Sequence, residues 1–190
     1  MMEMVKTISI QRIGEDPTIT LERLYKYVFR TLPFRMRLFN RGVDEQYLID
    51  NTIEKYLFYH PMWVANTLII AERPPLAPKI LKQHIFVDAI SGYRGLLSKT
   101  LPLNTVDVNR ELLESHQIIE MDEVEKFVKD VQVKQINRSY LLKKPQHEIK
   151  ELKLVYLPLW RIKVKSKFID QVFVINANTG ESENYIYQKR

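Results

Sequence analysis

A five-residue frame occurs twice in this chain, and each occurrence carries one of its only 2 tryptophans. Tyr59-His60-Pro61-Met62-Trp63 matches Tyr156-Leu157-Pro158-Leu159-Trp160. Downstream, Phe86-Val87-Asp88-Ala89-Ile90-Ser91-Gly92 matches Val174-Ile175-Asn176-Ala177-Asn178-Thr179-Gly180. Self-similarity of this kind means one supersecondary unit used twice. From Trp to Gly is 29 residues in the first copy (92 − 63) and 20 in the second (180 − 160). The Pro-rich stretch Arg73–Leu81 supplies the difference of 9. A hairpin loop absorbs such an insertion cheaply, because closure entropy grows slowly with length.

The matched pieces carry physical meaning. In Asp88-Ala89-Ile90-Ser91-Gly92, an Asp side chain can accept from the backbone two residues on. Gly then takes the left-handed conformation that closes a tight turn. Asn176-Ala177-Asn178-Thr179-Gly180 has the same chemistry. Pro61 and Pro158 cannot donate to a ladder, which predicts an edge or a bulge at each. Trp63 and Trp160 are expected to anchor the sheet face against the preceding helix. The repeated unit then reads as helix, strand, hairpin, strand.

This arrangement resembles the PepSY type of module, in which a helix precedes an antiparallel sheet and an Asp-Ala-x-Thr-Gly turn joins two strands. The matching residues are Asp88, Ala89, Ser91 and Gly92 in one copy and Asn176, Ala177, Thr179 and Gly180 in the other. Copy one has Ser for Thr, and copy two has Asn for Asp. The resemblance implies a non-catalytic module linked to protease inhibition or to the cell envelope. This sequence lacks the export signal that many such modules carry, which argues against the envelope role.

Around the repeat, Ile8 and Ile10 alternate with polar residues and predict a short strand within 4–13. A helix follows from Thr18 or Thr20, with Leu21, Leu24, Tyr25, Val28, Phe29 and Leu32 at helical spacing, and Pro33 ends it. A second helix is expected over about 43–57. Strands are expected at Tyr59–Ala71, Ile80–Ile90 and Tyr93–Ser98. Leu101–Asn109 reads as a polar joint, and 107–119 as a short helix. A longer helix starts at Met121, where Asp122 and Glu123 suit the helix dipole. Lys143-Lys144-Pro145 ends it, and strand-like runs follow at His147–Lys165, Lys167–Ala177 and Ser182–Gln188. The expected organisation is an N-terminal arm and helix (1–42), a first repeat (43–101), a linker (102–120) and a second repeat (121–190). The fold class is α+β: two similar halves, each a helix on a small antiparallel sheet, plus an N-terminal helix.

Composition removes several function classes. The chain has 190 residues and no Cys, so disulfides, thiolate metal sites and a Cys nucleophile are excluded. Its 5 glycines, at 14, 42, 92, 95 and 180, cannot form GxxxxGK[ST], GxGxxG or GxSxG. His60, His84, His116 and His147 show no metal-ligand spacing. His60 and His84 flank the first hairpin and could approach each other across it, but a chance pairing or a solvent-facing position explains them without chemistry. Asp88 and Asn176 correspond in the repeat, yet the turn already explains both. No catalytic residue, cofactor or metal is therefore expected. No apolar run reaches the roughly 18 residues of a membrane span, and Met1–Arg12 does not read as a signal peptide. A cytoplasmic protein is the expectation.

The net charge of +6 is spread along the chain. Two segments concentrate it. In 30–41, Arg35, Arg37 and Arg41 would share one side of a strand, with Phe39 among them. In 161–167, Arg161, Lys163 and Lys165 alternate with Ile162 and Val164, so one sheet face is wet. The leading expectation is a non-enzymatic protein- or peptide-interaction or scaffold protein that uses a sheet face or edge. The alternative is nucleic-acid binding through these two basic segments. Homodimerisation is compatible with both.

Overall fold

The computed structural model describes residues 6–14, 19–39, 42–98, 102–114, 118–141 and 143–184. Its class is α+β. Strands are β1 (Thr7–Ile13), β2 (Thr52–Arg73), β3 (Leu76–Asp88), β4 (Arg94–Leu97), β5 (Leu103–Asn109), β6 (Gln146–Lys165) and β7 (Asp170–Asn176). Helices are α1 (Leu21–Thr31), α2 (Phe34–Phe39), α3 (Glu45–Asp50) and α4 (Met121–Val131). Strand hydrogen bonding follows the order β4-β3-β2-β6-β1-β5, with β7 beside β6.

The chain divides into two compact units that interleave in sequence. One comprises Met1–His60, Leu103–Glu114 and Leu157–Arg190; the other comprises Pro61–Pro102 and Ser115–Tyr156. The boundaries fall inside β2 and β6, at Pro61 and Leu157. The reason lies in which helix covers which hairpin.

In the first unit, α1 buries Leu24, Tyr25 and Val28 against Ile162 and Val164 of β6 and Phe173 and Ile175 of β7. Leu48 of α3 joins the same core. In the second, α4 buries Val124, Val128 and Val131 against Ala65 and Ile69 of β2 and Ile85 and Val87 of β3. Each helix has a stripe at i, i+4 spacing that suits one sheet face. The helix that covers each hairpin is not the one immediately before it. The expectation that Trp63 and Trp160 meet their preceding helices is corrected on this point: α4 follows Trp63, and α1 lies far upstream of Trp160.

Four further expectations change. The segment from Phe34 is the helix α2, not a strand: Pro33 offers its carbonyl to the amides of Met36 and Arg37. Proline suits a helix start because its missing N–H is not needed there. The helix expected over 43–57 is only α3. Asp44 caps it, accepting from Tyr47 N at 2.8 Å. Asn51 Nδ2 then donates to Tyr47 O, and Thr52 Oγ1 donates to Leu48 O, which closes the end. The β-branched Thr52 and Ile53 begin the strand instead. The polar joint is β5, paired antiparallel with β1 from Thr7↔Asn109 to Ile13↔Leu103. In 107–119, the described residues hold the end of β5, a three-residue 3-10 turn at Arg110–Leu112 and a bridge from Leu113 to Tyr59, and the only helical turn is that one. At the C-terminus, Ser182 bridges Ile175, and residues 185–188 lie outside the described residues.

Pro61 and Pro158 lie within long strands, not at an edge. The ladder to each hairpin partner starts one residue later, at Met62↔Asp88 and Leu159↔Asn176. Their carbonyls accept from Ala89 N at 3.2 Å and Ala177 N at 3.0 Å. In an extended chain the nitrogen faces the same way as the carbonyl of its residue. The missing donor therefore points past the end of that ladder, where proline is tolerated.

Candidate interaction surfaces

The two turns are built by the same bonds. Asp88 Oδ1 accepts from Ile90 N and Ser91 N at 2.8 and 3.0 Å. Asn176 Oδ1 accepts from Asn178 N and Thr179 N at 2.9 and 3.3 Å. Gly92 N donates to Asp88 O at 3.0 Å, and Gly180 N donates to Asn176 O at 2.8 Å. Both glycines have positive φ, 69° and 78°, which an L side chain rarely adopts. Ser91 Oγ accepts from Tyr93 N, and Thr179 Oγ1 accepts from Glu181 N, each at 3.2 Å. Ala89 and Ala177 are fully buried beneath the turns. Asp88 and Asn176 are thus occupied in turn geometry, with side-chain oxygens directed at backbone.

Each tryptophan pins the chain two residues before a covering helix. Trp63 Nε1 donates to Ile119 O at 3.0 Å, ahead of α4. Trp160 Nε1 donates to Ile19 O at 3.1 Å, ahead of α1. Buried indoles need such an acceptor, because an unmet N–H costs more than a made bond gains.

The basic segments have different fates. Arg35 and Arg37 are exposed on α2, where residues two apart diverge by about 200°. They do not form a one-sided row, and Arg41 lies outside the described residues. In 161–167 the alternation is real: Ile162 and Val164 are fully buried under α1, and Arg161, Lys163 and Lys165 take the other face. Exposure grows along the row. The Arg161 side chain is 24% exposed, with Nε 3.6 Å from Glu54 Oε1. Lys163 is half-buried and Lys165 is exposed.

The histidines hold the feature that sequence reasoning missed. His60 is buried, and its Nδ1 lies 2.6 Å from Glu114 Oε2, with the two side chains 3% and 7% exposed. The solvent-facing expectation for His60 is corrected: an acidic partner stands 54 residues away. The available signal was the repeat itself, which has Leu157 where the first copy has His60. Glu114 N also donates to Tyr59 O, so this pair fastens the segment after β5 onto β2. Burial pushes the neighbouring Tyr59 hydroxyl up, against the opposing pull of Arg12. His84 Nδ1 lies 2.7 Å from Asn66 Oδ1, and Asn66 Nδ2 donates to Glu151 Oε2 at 2.9 Å. The Glu151 carboxyl is held below its usual range, first by the hydrogen bond from Lys153. Burial pushes His147 below its usual value, with Nε2 2.8 Å from Asn137 Oδ1. His116 lies outside the described residues. Among the described residues no group of three His, Asp or Glu side chains is placed to hold a metal.

One surface ion network permits a pH prediction. Asp130 is engaged by Lys134 Nζ at 2.7 Å and Arg94 Nη2 at 2.8 Å, and these bonds hold its carboxyl below the usual range. A carboxyl depressed in the folded state stabilises above its unfolded pKa. That contribution is lost as pH falls through the folded value. Asp130→Asn is expected to lower stability at neutral pH and leave it unchanged in strong acid. Urea midpoints across that range give the reading; equal losses at both ends would contradict it.

No helix among the described residues is long and apolar enough to cross a membrane. No family model matches the chain, and no curated protein or solved structure does either.

Proposed function

We propose that this chain is an internal duplication that works as a non-enzymatic interaction protein, binding an acidic protein or peptide segment. Support for the duplication comes from paired bonds. Turn, proline contact, left-handed glycine and tryptophan pin each occur once in either half, on residues that match in sequence. The PepSY-like reading rests on the same turns. It carries the difference that α4 covers the first hairpin and α1, from the N-terminal arm, covers the second.

The observation that carries the binding role is the sidedness of β6 and β7. One face is sealed by α1; the other presents Arg161, Lys163 and Lys165 in sequence at alternate positions. Strand geometry spaces them about 6.6 Å apart. At that pitch Lys163 and Lys165 can each meet a carboxylate on an extended acidic segment, beside Arg161, which Glu54 already engages. The same spacing favours a second reading, a single-stranded nucleic acid whose phosphates follow the row.

Fluorescence anisotropy separates the two. Fluorescein-labelled poly-glutamate and a labelled mixed-sequence single-stranded DNA are titrated in turn, at low and at moderate salt. Binding of poly-glutamate that Lys163→Glu with Lys165→Glu weakens about ten-fold supports the peptide reading. Tighter binding of DNA, falling steeply with salt and lost in the same variant, transfers the site to nucleic acid. Binding of neither probe at low salt removes both.

A further inference from the structure

The geometry points to a strand-addition site on the outer edge of β3, Lys79–Gln83, for an extended peptide with the pattern acid, apolar, apolar, acid. This names a site and ligand chemistry within the proposed interaction role, and so rests on that reading.

β3 pairs with β2 along its length, from Met62↔Asp88 to Arg73↔Leu76. On its other side β4 covers only His84–Val87. From Leu76 to Gln83 no described strand occupies that edge. Alternate backbone N–H and C=O groups there face outward, and such an edge is a template for another strand. The side chains along it are open too. Every residue from Leu76 to Lys82 is exposed, with Ile80 at 60% and Leu81 at 37%. Pro78 has no N–H to offer, which starts the usable edge at Lys79.

The register fixes what a guest strand must carry. Ile80 shares a face with Ile70, and Leu81 shares the other with Ile69. Lys82 is opposite Leu68, and Lys79 is opposite Ala71. A guest residue opposite Ile80 or Leu81 is therefore apolar, extending the cross-strand pair by one member. A guest residue opposite Lys79 or Lys82 is acidic. From Leu76 to Val87 the strand has no acid to satisfy these lysines. The pattern reads the same in both directions, so it accepts a parallel or an antiparallel guest.

Charge also decides against a second copy as the guest. In a symmetric antiparallel pairing centred between Ile80 and Leu81, Lys79 of one copy faces Lys82 of the other. Like charges directly opposite destabilise a strand pair. Lysines and proline are familiar guards of an open edge. Here the guard that repels self-pairing selects for an acidic strand.

The test uses the full chain and a labelled octapeptide, Thr-Thr-Glu-Val-Val-Glu-Thr-Thr, beside a control with lysine at both glutamate positions. Anisotropy is expected to show saturable binding of the acidic peptide and none of the control. Lys79→Glu with Lys82→Glu changes only exposed side chains. It is expected to weaken the acidic peptide at least about ten-fold, as two attractions become two repulsions, and to admit the control. Amide hydrogen exchange on the complex is expected to slow at residues 79–83. Loss of binding only in Lys163→Glu with Lys165→Glu would overturn the edge site and leave the interaction role standing. No binding of either peptide, together with no binding of poly-glutamate, would remove both. Concentration-dependent dimers with exchange protection at 79–83 would replace the peptide by a second copy.

Discussion

Replacing Gly180 by alanine is expected to destabilise the protein by about 3 kcal/mol or more, from backbone strain and overpacking together. Two causes add. The residue has φ 78°, where a Cβ is strained against its own backbone. That Cβ would also run into Cδ1 and Cε1 of Tyr27 in α1, far inside contact distance. The matching position in the other half offers a built-in control. Gly92 has φ 69°, but its Cβ would meet Phe127 in α4 at 3.1 Å, where a small shift suffices. Gly92→Ala is expected to cost only the backbone part, about 1–2 kcal/mol. Urea midpoints of the two variants give the comparison. In a Gly180→Ala background, Tyr27→Ala is expected to cost less than it does alone, because the overpacking goes with the ring. Equal losses at the two glycines would mean that Tyr27 yields freely and that the turn does not press on α1.

His60→Leu copies the residue that the second half already has at that position, Leu157, which is buried at 8% exposure. It is nonetheless expected to cost about 3 kcal/mol, because a buried carboxyl loses one of its hydrogen-bond partners. The apolar gain of a leucine is smaller than the penalty of keeping the Glu114 carboxyl buried without His60. Adding Glu114→Leu is expected to restore most of the loss, since a buried pair exchanged for apolar groups is often neutral. Chemical denaturation of the two single variants and the double closes a thermodynamic cycle. A coupling near zero would contradict the pair's role in fastening the segment after β5. The same variants are expected to leave anisotropy with poly-glutamate unchanged, because the pair is buried.

Local chemistry made part of this architecture readable. The turns at Asp88 and Asn176 follow from side chains that bond their own backbone and glycines that accept positive φ. The helices α1 and α4 follow from their apolar stripes, and the wet face of β6 from the alternation at 161–165. What stayed hidden depended on distant partners. β5 carries two Asn and an Asp, which disfavour strands alone, and it forms because β1 supplies a ladder. α3 stops early because Asn51 and Thr52 turn their side chains back onto its carbonyls. The six residues of α2 were too few to tell a helical period from a strand period. His60 and Glu114 meet across 54 positions, and nothing local announces it. Which helix covers which hairpin was equally hidden. A stripe on α4 says that it needs a sheet face, and both hairpins offer the same turn and tryptophan.

On the proposed reading, the lysine-bearing face of β6 and β7 receives an acidic chain. Amide chemical-shift mapping during titration with poly-glutamate tests it most directly. The predicted result is a saturable set of shifts centred on Arg161–Lys165 and the paired residues Asp170–Val174, absent in Lys163→Glu with Lys165→Glu. Shifts that are absent, or that arise elsewhere and persist in that variant, would contradict it.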